Sequence, residues 1–264
     1  MPMVRDFPNL IGEIRHSYEN KYPTMAHRFH VNMPLGLGRF DLDGEEARHL
    51  VVSRIRLGEK VVLFNGDGFN YQAALVQLGR RDAILEIEAR IPNQCERKTS
   101  IIIAAPLPKG DREQILIEKL VELGVSRFFP LATERSVIHP EPKRLERLTR
   151  HVIEASKQCG RSKLMSIEPV STWEHYLALR PLGEVGCVAH GPAFAAKNLP
   201  VLSESPSSIW GAVGPEGGLT EAEAGLAVER GWTLVDLGPR ILRMETAAII
   251  LSWELGQISD RVQR

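Results

Sequence analysis

Apolar positions along the chain change rhythm near residue 100. From Phe29 to about Ile91 they come in short runs separated by turn residues, the pattern of strands. Val61-Val62-Leu63-Phe64 stops at Asn65-Gly66-Asp67-Gly68, a hairpin-type turn, and Tyr71 to Val76 resumes the strand pattern. Ala83 to Ile87 predicts another strand and Glu45 to Arg54 a short helix. Residues 25–95 therefore predict a small β-rich module, with the polar stretch Pro92 to Lys98 as its exit. Residues 1–24 lack such a pattern and are expected to be an extension before a second start at Met25.

Beyond Ser100, strands and helices alternate. Ile101 to Ala105, Arg127 to Leu131, Val185 to Ala189 and Ile209 to Val213 are near-continuous apolar runs, as strands covered on both faces require. Leu234 to Leu237 predicts the last strand. Helices are predicted over 112–123, stopped by Gly124, and over 142–158, where Leu145, Leu148, Val152, Ala155 and Cys159 form one stripe. Thr220-Glu221-Ala222-Glu223 is a capping box that opens a third helix, and a fourth runs from Glu245 to about Ile258. The alternation predicts an α/β fold with a parallel sheet over residues 96–264.

Composition narrows the class. The 264 residues are 43% hydrophobic and 25% charged, as expected of a folded globular protein. Lys plus Arg and Asp plus Glu are 33 each, which excludes a bulk polycation and leaves room for a local patch. Such a patch lies between His139 and Lys163. Seven basic residues (Lys143, Arg144, Arg147, Arg150, Lys157, Arg161, Lys163) there face three acidic ones (Glu141, Glu146, Glu154). This fits either a phosphate-contacting surface or a solvated helix face. Arg48, Arg54, Arg56 and Lys60 add charge to the small module, and Phe69 and Tyr71 at its hairpin are candidates to stack on bases. The three cysteines Cys95, Cys159 and Cys187 show no paired spacing, so a disulfide framework or zinc ribbon is not expected and a reducing, cytoplasmic setting is. No HExxH occurs, and no metal is expected. No apolar run approaches the roughly 20 residues of a membrane span, and the first residues lack a signal-peptide core, so no membrane partner is expected.

Two loops are candidates for chemistry. Gly214-Pro215-Glu216-Gly217-Gly218 follows a strand and precedes a capped helix, where α/β sheets collect ligands. It lacks the spacing of GxGxxG or of a P-loop, so it reads as a tight turn or as a ligand loop of another kind. Leu237-Gly238-Pro239-Arg240-Ile241-Leu242-Arg243 follows the last strand, and its apolar residues must cover either core or a flat ligand.

These two loops closely resemble the signature of the RsmE family of 16S rRNA uridine methyltransferases. So do Lys109-Gly110-Asp111-Arg112 with Lys119 to Gly124, and Gln158-Cys159-Gly160-Arg161. The motifs keep the family's order from about Arg28 to the C-terminus. The resemblance implies a PUA-like RNA-binding β-barrel at 25–95 and a trefoil-knotted SPOUT domain at 96–264. It also implies a homodimer and methyl transfer from S-adenosyl-L-methionine (AdoMet) to N3 of a uridine in 16S rRNA, within the 30S subunit. Two features depart from the family: residues 1–24 have no counterpart, and Met244 stands where threonine is common.

On this basis Gly214, Pro215, Glu216, Gly217, Gly218, Leu237, Gly238, Ile241 and Leu242 are expected to bind the cofactor. Uridine N3 becomes nucleophilic only on losing its proton, so a guanidinium that stabilises the anion is expected nearby. Arg112, Arg161 and Arg243 are the candidates, with Glu245 or Glu216 to orient the cofactor or accept the proton. Arg28, Arg48, Arg147, Arg150, Lys157 and Lys163 are expected to contact RNA. Two other readings stand beside this one: a SPOUT methyltransferase for tRNA or 23S rRNA, and a non-catalytic ribosome-assembly factor.

Overall fold

The structure, a computed structural model, describes residues 27–136, 142–190, 199–202 and 204–262. The expected extension at 1–24 lies outside the described residues. The described chain forms two compact units. One holds the residues up to Asn65 together with Phe69–Pro92, and the other holds Gly66–Gly68 and the chain from Asn93 on.

The first unit is a five-stranded sheet of β1 (Arg28–His30), β2 (Gly38–Asp43), β3 (Lys60–Phe64), β4 (Phe69–Leu78) and β5 (Asp82–Pro92). The order is β1-β3-β4-β5-β2, parallel between β1 and β3 and antiparallel elsewhere. Alternate residues Tyr71, Ala73 and Leu75 on β4, and Ala83, Leu85 and Ile87 on β5, point into one core. Helix α1 (Gly44–Val52) adds Ala47 and Leu50 to it. This core corrects one expectation. Tyr71 is 2% exposed, and its hydroxyl accepts a hydrogen bond from Arg90 Nε at 3.1 Å. Phe69 has the Arg90 guanidinium 3.4 Å above its ring, so neither aromatic is a bare stacking platform.

The second unit is built on a parallel sheet of β6 (Ser100–Ala105), β7 (Val125–Ala132), β8 (Ser166–Ile167), β10 (Val185–Ala189), β11 (Ser208–Val213) and β12 (Thr233–Val235). The order is β12-β10-β11-β6-β7-β8, and β9 (Ser171–Thr172) pairs with β7. Helices α2 (Arg112–Glu122), α3 (Pro142–Cys159) and α6 (Met244–Val262) contribute to one core. The short α4 (Trp173–Leu179) and α5 (Glu221–Glu229) contribute to the other. This explains the unbroken apolar runs: Ile101 and Ile103 join the first core, whereas Ile102 and Ala104 join the second. The second core is a stack of aromatics in which Tyr176 lies 5.7 Å from Trp210 and 5.6 Å from Trp232, centroid to centroid. Burial pushes the Cys187 thiol up to about 12, so this cysteine behaves as a neutral core residue. The expected α/β class, a parallel-sheet domain beside a small β module, is borne out.

Candidate active site

Three adjacent strands, β12, β10 and β11, end at the same edge of the sheet. After β11 the chain turns at once through Gly214 to Gly218. The Gly218 N–H donates to the Pro215 carbonyl at 2.8 Å, with Gly218 at φ +71°, where a side chain would be strained. The turn ends on the predicted capping box: Thr220 Oγ1 accepts the Glu223 N–H at 3.2 Å, and Glu223 Oε2 accepts the Thr220 N–H at 2.8 Å. After β12, the Asp236 carboxylate accepts the Gly238 N–H at 2.9 Å, and Gly238 takes φ +112°. The His190 N–H donates to the Val235 carbonyl at 3.0 Å, which ties the end of β10 to this second loop.

Between the loops lies a cleft of about 210 Å³, partly open to solvent. Gly214, Pro215, Glu216, Gly218, Leu237, Gly238, Ile241 and Leu242 all line it. Gly217 is outside the lining; its carbonyl is turned to Arg135 Nη1, 2.8 Å away. Leu237 and Leu242 are half-buried against the core, whereas Ile241 is fully exposed. A large apolar side chain left bare at a cleft is suited to covering a flat apolar ligand.

Arg240 of the second loop completes the lining together with Ala189, His190, Val213, Leu219, Asp236, Met244 and Ala247, which the sequence does not single out for it. His190 was findable. It follows a predicted strand, and the strand-end argument that singled out the other two loops applies equally to β10. Met244 is 4% exposed and packs with the core, so an apolar residue suits that position.

The charged residues separate into two groups. Arg112 opens α2, and its Nη1 donates to Glu216 Oε1 at 2.8 Å and lies 3.5 Å from Glu245 Oε1. The Glu216 hydrogen bond and then the Glu245 charge raise its pKa further, so it is a permanent cation. Glu245 is 6% exposed, and its Oε2 has no hydrogen-bond partner among the described residues. Arg243 is exposed and outside the lining; its carbonyl accepts the Ala247 N–H at 2.9 Å in the first turn of α6.

Arg161 is a correction. It is 3% exposed, absent from the lining and turned into the protein. Its Nε and Nη2 donate to Glu96 at 3.1 and 2.9 Å, and its Nη1 to the carbonyls of Val121 and Val125 at 3.0 and 2.8 Å. A guanidinium at the carboxyl end of α2 is placed favourably against the helix dipole, and Glu96 balances the buried charge.

The expected RNA contacts also divide. Arg147, Arg150 and Lys163 are exposed, as is Arg48, whose Nε lies 3.4 Å from the Gly44 carbonyl. Lys157 is the correction here: its side chain is 9% exposed and paired with Glu154 at 3.0 Å, so it offers little to an external phosphate. Arg28 is half-buried, bonded to Asn70 at 3.0 Å and stacked 4.9 Å from Phe64. Among the described residues no group of three or more His, Cys, Asp or Glu side chains is placed to hold a metal ion. Likewise, no helix is long and apolar enough to cross a membrane.

Fold and cleft together define the class. An RNA methyltransferase domain model matches residues 95–253, which includes both cleft loops, and an RNA methyltransferase PUA domain model matches residues 42–88 in the small module. The chain is 33% identical over 226 residues to ribosomal RNA small subunit methyltransferase E of Bacillus subtilis, covering 80% of this chain and 86% of the relative. The protein of that name from Synechocystis is 32% identical over 208 residues, 75% of this chain and 66% of the relative. The crystal structure of ribosomal RNA small subunit methyltransferase E from Neisseria gonorrhoeae bound to S-adenosyl methionine superposes with a TM-score of 0.80. It is 32% identical, covering 88% of this chain and 98% of that one. This chain belongs to the ribosomal RNA small subunit methyltransferase E (RsmE) family.

Proposed function

We propose that this protein transfers the methyl group of AdoMet to N3 of a uridine in 16S rRNA. The observation that carries this reading is the cleft, where a glycine turn after β11 and an apolar loop after β12 flank the end of β10. A Cβ built on Gly218 or Gly238 would meet nothing within 4 Å, so a ligand can approach their backbone closely. Ile241, Leu237 and Leu242 suit the flat purine, and the Asp236 carboxylate suits hydroxyls. The Neisseria relative was crystallised with this cofactor.

AdoMet, when bound, supplies a sulfonium-activated methyl group; the protein supplies orientation and electrostatics. Glu216 lines the cleft, and Arg112 and Glu245, outside the lining, join it in one charged cluster at the cleft's edge. Arg112 keeps two carboxylates in fixed positions, and Glu245 Oε2 is a buried acceptor with capacity to spare. The uridine anion calls for a cation, and Arg240 in the lining and the exposed Arg243 sit on the loop best placed to meet it. Arg161 has no part in this step.

The wider reading follows from the family. Residues 25–95 serve as an RNA-binding module and 96–264 as the methyltransferase domain. The protein acts in the cytoplasm as a homodimer on the assembled 30S subunit. The test is transfer of tritium from labelled AdoMet to 30S subunits that lack the modification, with deproteinised 16S rRNA, 23S rRNA and tRNA alongside. Label confined to one 16S uridine is the expected result. Label on tRNA or 23S rRNA alone would move the assignment to another RNA, and no label on any of them would sink it.

A further inference from the structure

Helix α2 opens with two charged residues that serve different neighbours. Arg112 reaches Glu216 and Glu245 at the cleft. Glu113 is 2% exposed and turned to α3. There its Oε1 accepts Arg147 Nη2 at 2.7 Å, and its Oε2 takes the Arg144 guanidinium, which also donates to the Pro108 carbonyl at 2.8 Å. Two cations on one carboxylate leave one positive charge in surplus. Exposure decides where it stands: the Arg144 side chain is 19% exposed and that of Arg147 53%.

Among the described residues Glu113 is the one ion-pair partner of Arg147. A guanidinium has five N–H donors, so the single Nη2 bond to Glu113 leaves others for a second acceptor. Lys143 and Arg150, four residues before and three after, are exposed and share its face of α3. An unanchored surface arginine must give up rotamer freedom when it grips an anion; an anchored one has given it up on folding.

We propose that Glu113 is a positioning residue that presents Arg147 as a pre-ordered binding site for an RNA phosphate. This rests on the RNA methyltransferase reading and adds to it a specific site. One helical turn then carries both the charged edge of the cleft and the anchor of the phosphate site, which sets RNA in register with the cofactor.

The test measures RNA KM, its salt dependence, kcat and AdoMet affinity for the full chain and for R147A, R147K and E113Q. R147A raises RNA KM about tenfold, the worth of a charge-assisted contact, and lowers the salt slope by about one. Its kcat and AdoMet affinity stay at the parent values. R147K, which keeps the charge but loses the rigid planar array of donors that spans Glu113 and a phosphate, also raises KM severalfold. E113Q does the same, and the E113Q/R147A double variant is no worse than R147A alone. Parent KM in R147K overturns the positioning role, and parent KM in R147A overturns the phosphate site itself. Absence of transfer by the parent protein is instead the failure of the underlying reading. Should E113Q not fold, since it strips Arg144 of its counter-charge, R147K at a half-exposed position still decides.

Discussion

Arg112 and Arg161 show how one residue type diverges once its surroundings are fixed. Both sit in motifs that resemble the family signature, and sequence offers no way to tell which points outward. Arg112 opens a helix beside two carboxylates at the cleft. Arg161 follows Gly160, which takes φ +85°, and is swung under the end of α2. Arg161→Ala leaves Glu96 without its counter-charge and removes a hydrogen bond from each of two carbonyls, and is expected to cost about 3–5 kcal/mol in a urea melt. The kcat of the fraction that remains folded should stay near the parent value. Loss of turnover at unchanged stability would return Arg161 to the catalytic list. The glycines and apolar loop residues were legible because backbone approach and apolar cover are properties of residue type. Asp236 is not legible, because a lone aspartate signals nothing until the fold brings it to a cleft, whereas His190 is legible from its place after a predicted strand.

Among elements, legibility followed length and burial. Long apolar runs such as Ile101 to Ala105 announced strands covered on both faces, and the stripe of α3 announced a helix. Strands β8 and β9, two residues each, cannot display a period, and α4 has seven residues, under two turns. The edge strand β2 does alternate, with Phe40 and Leu42 toward the core between the exposed Arg39, Asp41 and Asp43, but two apolar residues are too few to single it out. The strands beneath the cleft also show where packing tolerates nothing extra. A Cβ on Gly186 of β10 would lie 2.7 Å from the Trp232 ring, whose indole donates to the Leu177 carbonyl at 3.4 Å. A Cβ on Gly211 of β11 would meet the methyl tips of Ile103 and Leu255 at 2.7 and 2.9 Å. A ring moves less readily than a methyl tip. Gly186→Ala is therefore expected to cost about 1–3 kcal/mol and Gly211→Ala clearly less, read as urea midpoints at constant slope. Equal costs would mean that the aromatic core yields as easily as the aliphatic one.

At the scale of the whole molecule, a net charge of zero hid how the charges are grouped. Buried or half-buried arginines hold carboxylates and carbonyls, as Arg161 and Arg144 do, while Arg147 and Arg150 on α3 remain outside. Composition sums these and loses the distinction. Alternation of strands and helices gave the parallel sheet, whereas a trefoil knot is an expectation from the family resemblance alone, because no periodicity encodes how a chain threads itself. The cleft at the ends of β10, β11 and β12 is the proposed seat of AdoMet. Calorimetric titration of AdoMet into the protein and into a Gly238→Val variant tests this most directly. Gly238 holds φ +112°, which valine cannot adopt, so the second loop must rearrange. The parent protein should bind one AdoMet per chain, and the variant, while still folded by circular dichroism, should bind at least tenfold more weakly, a difference of about 1.4 kcal/mol. No heat in the parent, or equal affinity in a folded variant, would contradict the assignment.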